Sequence, residues 1–132
     1  MLGFVYDPSA LLSEVHRILK PGGCFILTYS QSGAQSSPTD YFRFTPAYYR
    51  LALAGAGLDI EVLEARTGTI GTIGEMFTSM IFYRGRNNKV RRRLCHYLQK
   101  AFMIADRIFF DAENTLGHTV IARKPDPAAT QT

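Results

Sequence analysis

The sequence predicts an α/β fold of about three strands and four helices. Three observations carry this. A helix, a Pro-Gly-Gly turn and an apolar strand follow one another over residues 8–29, which is half of a βαβ unit. Apolar periodicity then switches between helical and strand spacing in the order α, β, α, β, α, α, β. The first strand reads as an interior one although nothing upstream can flank it, and three strands are few for an open sheet. The expectation is therefore a portion of a larger sheet.

Each element has its own signals. Pro8 to Lys20 reads as a helix, with Asp7 as its N-cap and Pro8 at its first position. Leu11, Leu12, Val15, Ile18 and Leu19 give it one apolar face, and Pro21-Gly22-Gly23 stops it. Cys24 to Tyr29 is a continuous apolar run, which predicts a strand buried on both faces. Ser30 to Thr39 is a long polar loop.

Thr45 and Pro46 start a second helix. Its buried side is expected at Tyr48, Leu51, Ala52 and Ala56, and Gly55 and Gly57 end it. Leu58 to Ala65 alternates apolar and acidic residues, a strand with one wetter face and hence nearer an edge. Thr67 to Gly74 reads as a Gly/Thr-rich loop. Glu75 to Tyr83 and Lys89 to Phe110 read as two more helices. In the second, Val90, Leu94, Tyr97, Leu98, Ala101, Phe102, Ala105, Ile108 and Phe109 recur at helical spacing. Asn114 to Gly117 is a turn, and Thr119 to Arg123 a final strand.

Composition bounds the function classes. The 132 residues suit one domain with a real core, and 46% hydrophobic against 20% charged residues is ordinary for a globular chain. Residues 1–125 are expected to fold, and residues 126–132, small and polar, to fray. Cys24 and Cys95 have no metal-ligand spacing around them and read as two reduced thiols, with no metal site expected. No targeting or membrane-spanning segment stands out, so a cytoplasmic location is expected. The net charge of +4 is local. Arg84, Arg86, Lys89, Arg91, Arg92 and Arg93 are six of the 15 basic residues, leaving nine against eleven acidic ones elsewhere.

One string is familiar. Asp7-Pro8, Leu11-Leu12, Glu14-Val15-His16-Arg17 and Leu19-Lys20-Pro21-Gly22-Gly23, followed by Phe25-Ile26-Leu27-Thr28, resembles the region before and through the fifth strand of class I S-adenosylmethionine-dependent methyltransferases. A second block, Asp40-Tyr41-Phe42-Arg43-Phe44-Thr45-Pro46 and a helix ending Ala56-Gly57-Leu58, is similar to the segment after that strand in a subgroup of the family. So is the end of the last strand, Ala122-Arg123-Lys124-Pro125. The resemblance implies a Rossmann-like, seven-stranded methyltransferase sheet with helices on both faces. This chain would be its C-terminal half, supplying the last three strands with the final one antiparallel.

The resemblance also implies S-adenosyl-L-methionine as cofactor, yet the family's cofactor motifs do not appear here. Its glycine-rich turn after the first strand and its acidic residue after the second are missing. Gly68 to Gly74 does not link a buried strand to the right helix and so is no substitute. Gly3 and Phe4 stand where the family often has Glu and His. No residue of this chain is assigned to the cofactor, and alone the chain is expected to be inactive.

In such a fold the methyl acceptor lies beyond the carboxyl ends of the strands. Tyr29, Tyr41, Phe42 and Arg43 are the substrate-side candidates, for a small-molecule or lipid-like acceptor, with Phe42 and Phe44 also read as core plugs. No residue is assigned a catalytic role. His16, His96 and His118 read as surface histidines, and no nucleophile–base pairing stands out. The alternative function is a non-catalytic α/β interaction module. It would bind a partner or an anionic membrane surface through the basic patch Arg84, Arg86, Lys89, Arg91, Arg92 and Arg93 and its amphipathic helix, or self-associate through an exposed sheet edge. Nucleic acid is disfavoured, because only Tyr83 and Tyr97 flank the basic cluster.

Overall fold

The computed structural model describes residues 2–33, 35, 37–82 and 88–127 in full, and Tyr83 by its backbone. Arg84, Arg86 and the expected frayed end from residue 128 lie outside the described residues. Two compact units form: Met1–Glu64 with Gly117–Thr132, and Ala65–Leu116.

The first unit holds a short 3-10 turn (Leu2–Phe4), α1 (Pro8–Ile18), β1 (Cys24–Ser30), α2 (Pro46–Gly55), β2 (Asp59–Ala65) and β3 (Gly117–Arg123). Local chemistry sets the helix starts. Asp7 accepts from Ser9 N and Ala10 N, both at 3.0 Å, and Thr45 Oγ1 accepts from Tyr48 N. Gly22 and Gly57, with φ of 72° and 73°, make the turns that follow α1 and α2. The sheet order is β1-β3-β2: the last strand lies between the other two and runs antiparallel. That insertion is the arrangement expected from the sequence.

The register explains the core. Phe25, Leu27 and Tyr29 of β1 stand opposite Ala122, Val120 and His118 of β3, so all six side chains share one sheet face. Leu12, Tyr49, Leu53 and Leu58 close over that face with Leu2 and Phe44. The motifs at the two ends of the unit meet in the turn after α1. Lys124 N donates to Gly23 O and Gly22 N to Lys124 O, each at 2.9 Å. Lys124 Nζ reaches His16 O and Leu19 O, carbonyls at the end of α1.

Three expectations are corrected here. β1 is not buried on both faces: Cys24, Ile26 and Thr28 are exposed, with Ile26 at 67%. The unit covers one sheet face with α1 and α2, and continuous apolarity does not reveal which face gains a cover. The buried side of α2 is turned by one position. Tyr49 and Leu53 are buried and Leu51 is exposed, because Tyr49, Ala52, Leu53 and Ala56 form the stripe toward the core. His118 is no surface histidine but lies on the inward face of β3.

The second unit is a helical hairpin of α3 (Thr69–Tyr83) and α4 (Lys89–Ile108). The segment expected as a loop up to Gly74 is instead the first part of α3. Gly68, Gly71 and Gly74 form a stripe at three-residue spacing that lets α4 come close. A Cβ at Gly68 or Gly71 would lie 2.6 or 2.8 Å from the Asp106 carboxylate, and one at Gly74 would enter the Phe102 side chain. Asp106, buried on α4, accepts from Gly68 N at 2.8 Å and Gly71 N at 2.7 Å. A carboxylate from another helix thus satisfies two N–H groups at the start of α3 and complements its dipole, while the Asp111 carbonyl takes Thr69 N at 2.9 Å. Glycines that look like loop residues are helical because a partner 35 positions away supplies the cap.

The apolar face expected on α4 is also only partly buried. Leu98, Phe102 and Ala105 turn toward the interior with Cys95, while Val90, Leu94, Tyr97 and Ile108 remain exposed. Among the described residues no helix is long and apolar enough to cross a membrane.

Candidate functional site

Tyr29 ends the inward row of β1 and is 8% exposed. Its position depends on Gly3, since any Cβ there would fall inside the Tyr29 ring. The loop leading to α2 is tied to the same turn: Tyr41 N and Phe42 N both donate to Gly3 O, at 2.9 and 3.3 Å. Gly3 therefore has a packing role here: the Tyr29 side chain occupies the space where its Cβ would lie.

Beneath this loop three polar side chains converge. Tyr29 Oη donates to Asp40 Oδ1, and Arg43 donates through Nη1 to Oδ1 and through Nη2 to Oδ2, the latter at 2.7 Å. Arg43 Nη1 also lies 3.1 Å from Tyr29 Oη, and the guanidinium sits 5.7 Å from the Tyr29 ring centroid. The Asp40 side chain is 2% exposed and that of Arg43 30%. A buried carboxylate of this kind needs such partners, because an unpaired one would be costly. Burial, then the Asp40 carboxylate, pushes the Tyr29 phenol above its ordinary value, and Asp40 holds Arg43 more firmly protonated. The carboxylate is already matched by a cation and a hydroxyl. Its chemistry is therefore that of an anchor, holding Tyr29 and Arg43 in one geometry.

Aromatic rings surround the anchor. Phe4 meets Tyr29 edge-on at 5.9 Å between centroids, and Phe44 lies 5.8 Å away on another side. Phe42 stacks on Phe44, which stacks on Tyr48. Phe44 is the plug the sequence suggested, 4% exposed, whereas Phe42 is more than a third exposed. Tyr41 is half exposed and meets Tyr6 edge-on. The candidates thus divide: Tyr29 and Arg43 are joined through Asp40, and Tyr41 and Phe42 present ring surface outward.

Sequence reasoning missed Asp40 and His118. The Asp-x-x-Arg spacing of Asp40 and Arg43 is a weak signal for such a pair. Alternation along Gly117–Arg123 puts His118 inward with Val120 and Ala122. His118 pairs in register with Tyr29, and its ring lies 6.4 Å from that of Tyr49. Burial, then the Arg50 charge, holds His118 below its ordinary value, and burial pushes Tyr49 up to about 12. His118 Nδ1 and Tyr49 Oη are buried without a hydrogen-bond partner among the described residues. Also among the described residues, no group of three His, Cys, Asp or Glu side chains could hold a metal ion.

Neither a protein-family model nor a curated protein matches the chain. Among solved structures it is similar to the [4+2]-cyclase SpnF, with a TM-score of 0.57 and 20% identity, covering 96% of this chain and 48% of that one. The chain spans about half the length of the structure it matches. At this identity the likeness is one of fold: an α/β arrangement that is part of a methyltransferase-like, Rossmann-like sheet.

Proposed function

We propose that this chain is the acceptor-side, C-terminal half of an S-adenosylmethionine-dependent methyltransferase. The cofactor-holding half would come from polypeptide outside residues 1–132. The observation that carries the reading is the insertion of β3 antiparallel between β1 and β2, with the Tyr29–Asp40–Arg43 anchor at the carboxyl end of β1. The second support is that the chain matches only 48% of a solved methyltransferase-like fold.

S-adenosylmethionine does not fit the glycine-rich turn at Gly68 to Gly74. A glycine turn that cradles such a ligand needs open N–H groups and open space at its glycines. At Gly68 and Gly71 the N–H groups already donate to Asp106, whose carboxylate fills the space. What the residues around Tyr29 supply is the acceptor's surroundings. Arg43, locked by Asp40 beside the buried Tyr29, offers a fixed cation, and Tyr41 and Phe42 offer ring faces against which an acceptor can be aligned. The bare sheet face at Ile26 and the outer edge of β1 would be covered by the cofactor-holding half.

Calorimetric titration of the chain with S-adenosylmethionine should show no saturable binding, and micromolar affinity would overturn the reading. Protein-observed NMR titration with small phenols should place the shift changes on Tyr41 and Phe42. Contacts confined to α3 and α4 would remove the acceptor-side assignment. Light scattering after gel filtration should show a monomer. A tight dimer lost on Ile26→Lys would mean that a second copy, and no cofactor half, covers the face.

A further inference from the structure

We infer that α4 is an interfacial helix that docks the hairpin onto an anionic bilayer surface. Val90, Leu94, Tyr97, Ala101, Ile104 and Ile108 recur at alternating steps of four and three, so they form one continuous stripe along the helix. The five larger ones are between 51% and 75% exposed. The stripe lies beside the face that packs on α3, where Cys95 and Asp106 are buried and Leu98, Phe102 and Ala105 half-buried. At 20 residues, α4 carries it for about 30 Å.

The charges say what can cover it. Arg93, Lys100 and Arg107 repeat every seven residues along one border of the stripe, and all three are exposed. The only acid on α4 is Asp106, which is buried and engaged with α3. The accessible charge on this helix is therefore uniformly positive. A second antiparallel copy would set this cationic border against itself. A parallel copy would face it with Arg91, Leu98 and Ala105, which include no acid. Like charge thus argues against self-pairing along the stripe and toward an anionic partner.

The shape of the hairpin favours a bilayer over an acidic helix. A partner helix needs a groove along the stripe, but Phe102 closes the seam against Gly74, and the hollow of about 240 Å³ left between α3 and α4 is lined by Glu75, Thr78, Ser79, Phe82, Cys95 and Gln99, none of them a stripe residue. Exposed apolar side chains stand as ridges instead, on α4 and also on α3 at Ile73, Met76, Phe77 and Met80. A convex helix with an exposed apolar stripe, one cationic border and no accessible acid is the pattern that lies in the headgroup plane.

Co-sedimentation of the chain with large unilamellar vesicles tests this. Binding is expected to vesicles containing phosphatidylserine, weakly or not at all to pure phosphatidylcholine, and to fall steeply with salt. Each basic residue near an anionic surface is worth about fivefold in partition. The triple variant Arg93→Gln, Lys100→Gln, Arg107→Gln should therefore lose about a hundredfold. Leu94→Ser with Ile104→Ser, both exposed, should lose binding with unchanged circular dichroism. Equal binding to neutral and anionic vesicles, or none to either, overturns the inference on the wild-type chain alone. Capture by an acidic amphipathic peptide without vesicle binding would assign the stripe to a protein partner and overturn it as well. None of these outcomes depends on S-adenosylmethionine binding.

Discussion

At the scale of single residues, the polar groups around Tyr29 give the sharpest expectations. Gly3→Ala would force a methyl group into the Tyr29 ring. Overpacking of this kind costs about 1–3 kcal/mol, so the urea midpoint should fall, while Phe4→Leu beside it should cost less. Tyr49 is 1% exposed and its phenol is pushed up to about 12 by burial. A raised folded-state value means the neutral group's stabilisation is complete below about pH 10 and is lost as pH rises toward about 12. Tyr49→Phe should therefore flatten the alkaline limb of a stability-against-pH curve. His118 has the opposite sense for acid. Its folded-state value is depressed, first by burial and then by Arg50, so stability is complete above its ordinary value near 6.5 and falls as pH drops below it. His118→Phe should remove that acid limb; an unchanged limb would mean the imidazole is solvated.

At the scale of elements, the hairpin rests on one carboxylate. Asp106→Ala would leave Gly68 N and Gly71 N unpaired inside the unit and remove the anion from the start of α3. Losing a charged acceptor from buried donors costs about 2–3 kcal/mol. Asp106→Asn, which keeps one carbonyl oxygen, should cost less. Hydrogen exchange at residues 68–72 should report the same order, and protection unchanged in the alanine variant would contradict the capping role. The same elements show what sequence reading can and cannot reach. α1 was legible to within two residues because Asp7, Pro8 and the Pro-Gly-Gly turn act within the segment itself. The start of α3 was not, because Gly68-Thr69-Ile70-Gly71 has poor helix propensity and its cap arrives from α4. The orientation of α2 was missed for a similar reason. Tyr48 and Tyr49 are equally apolar neighbours, and only the rows of β1 and β3 beneath decide which turns inward.

At the scale of the whole molecule, the two faces of β1 should differ in energy. Leu27 is buried under α1 and α2, and Leu27→Ala should cost about 2–5 kcal/mol. Ile26→Ala, one residue along and on the bare face, should cost less than about 1 kcal/mol. Comparing the two midpoints by urea denaturation tests whether the exposed face is open in solution. Equal costs would show that something covers Ile26. The candidate site was legible at the same grain. Tyr29 and Arg43 could be named from their place after an apolar strand, but Asp40, which joins them, could not.

The order of elements, the helix starts at Asp7 and Thr45, and a partial Rossmann-like α/β sheet with its last strand antiparallel were determined by the sequence alone. All of these depend on contacts within a few residues or on motifs written contiguously. Only tertiary structure decided which face of β1 is covered, which side of α2 packs, that a glycine-rich stretch is helical, and that most of the apolar residues of α4 face outward. Each of those depends on what lies opposite in space, and periodicity marks a side chain as apolar without saying what it will meet.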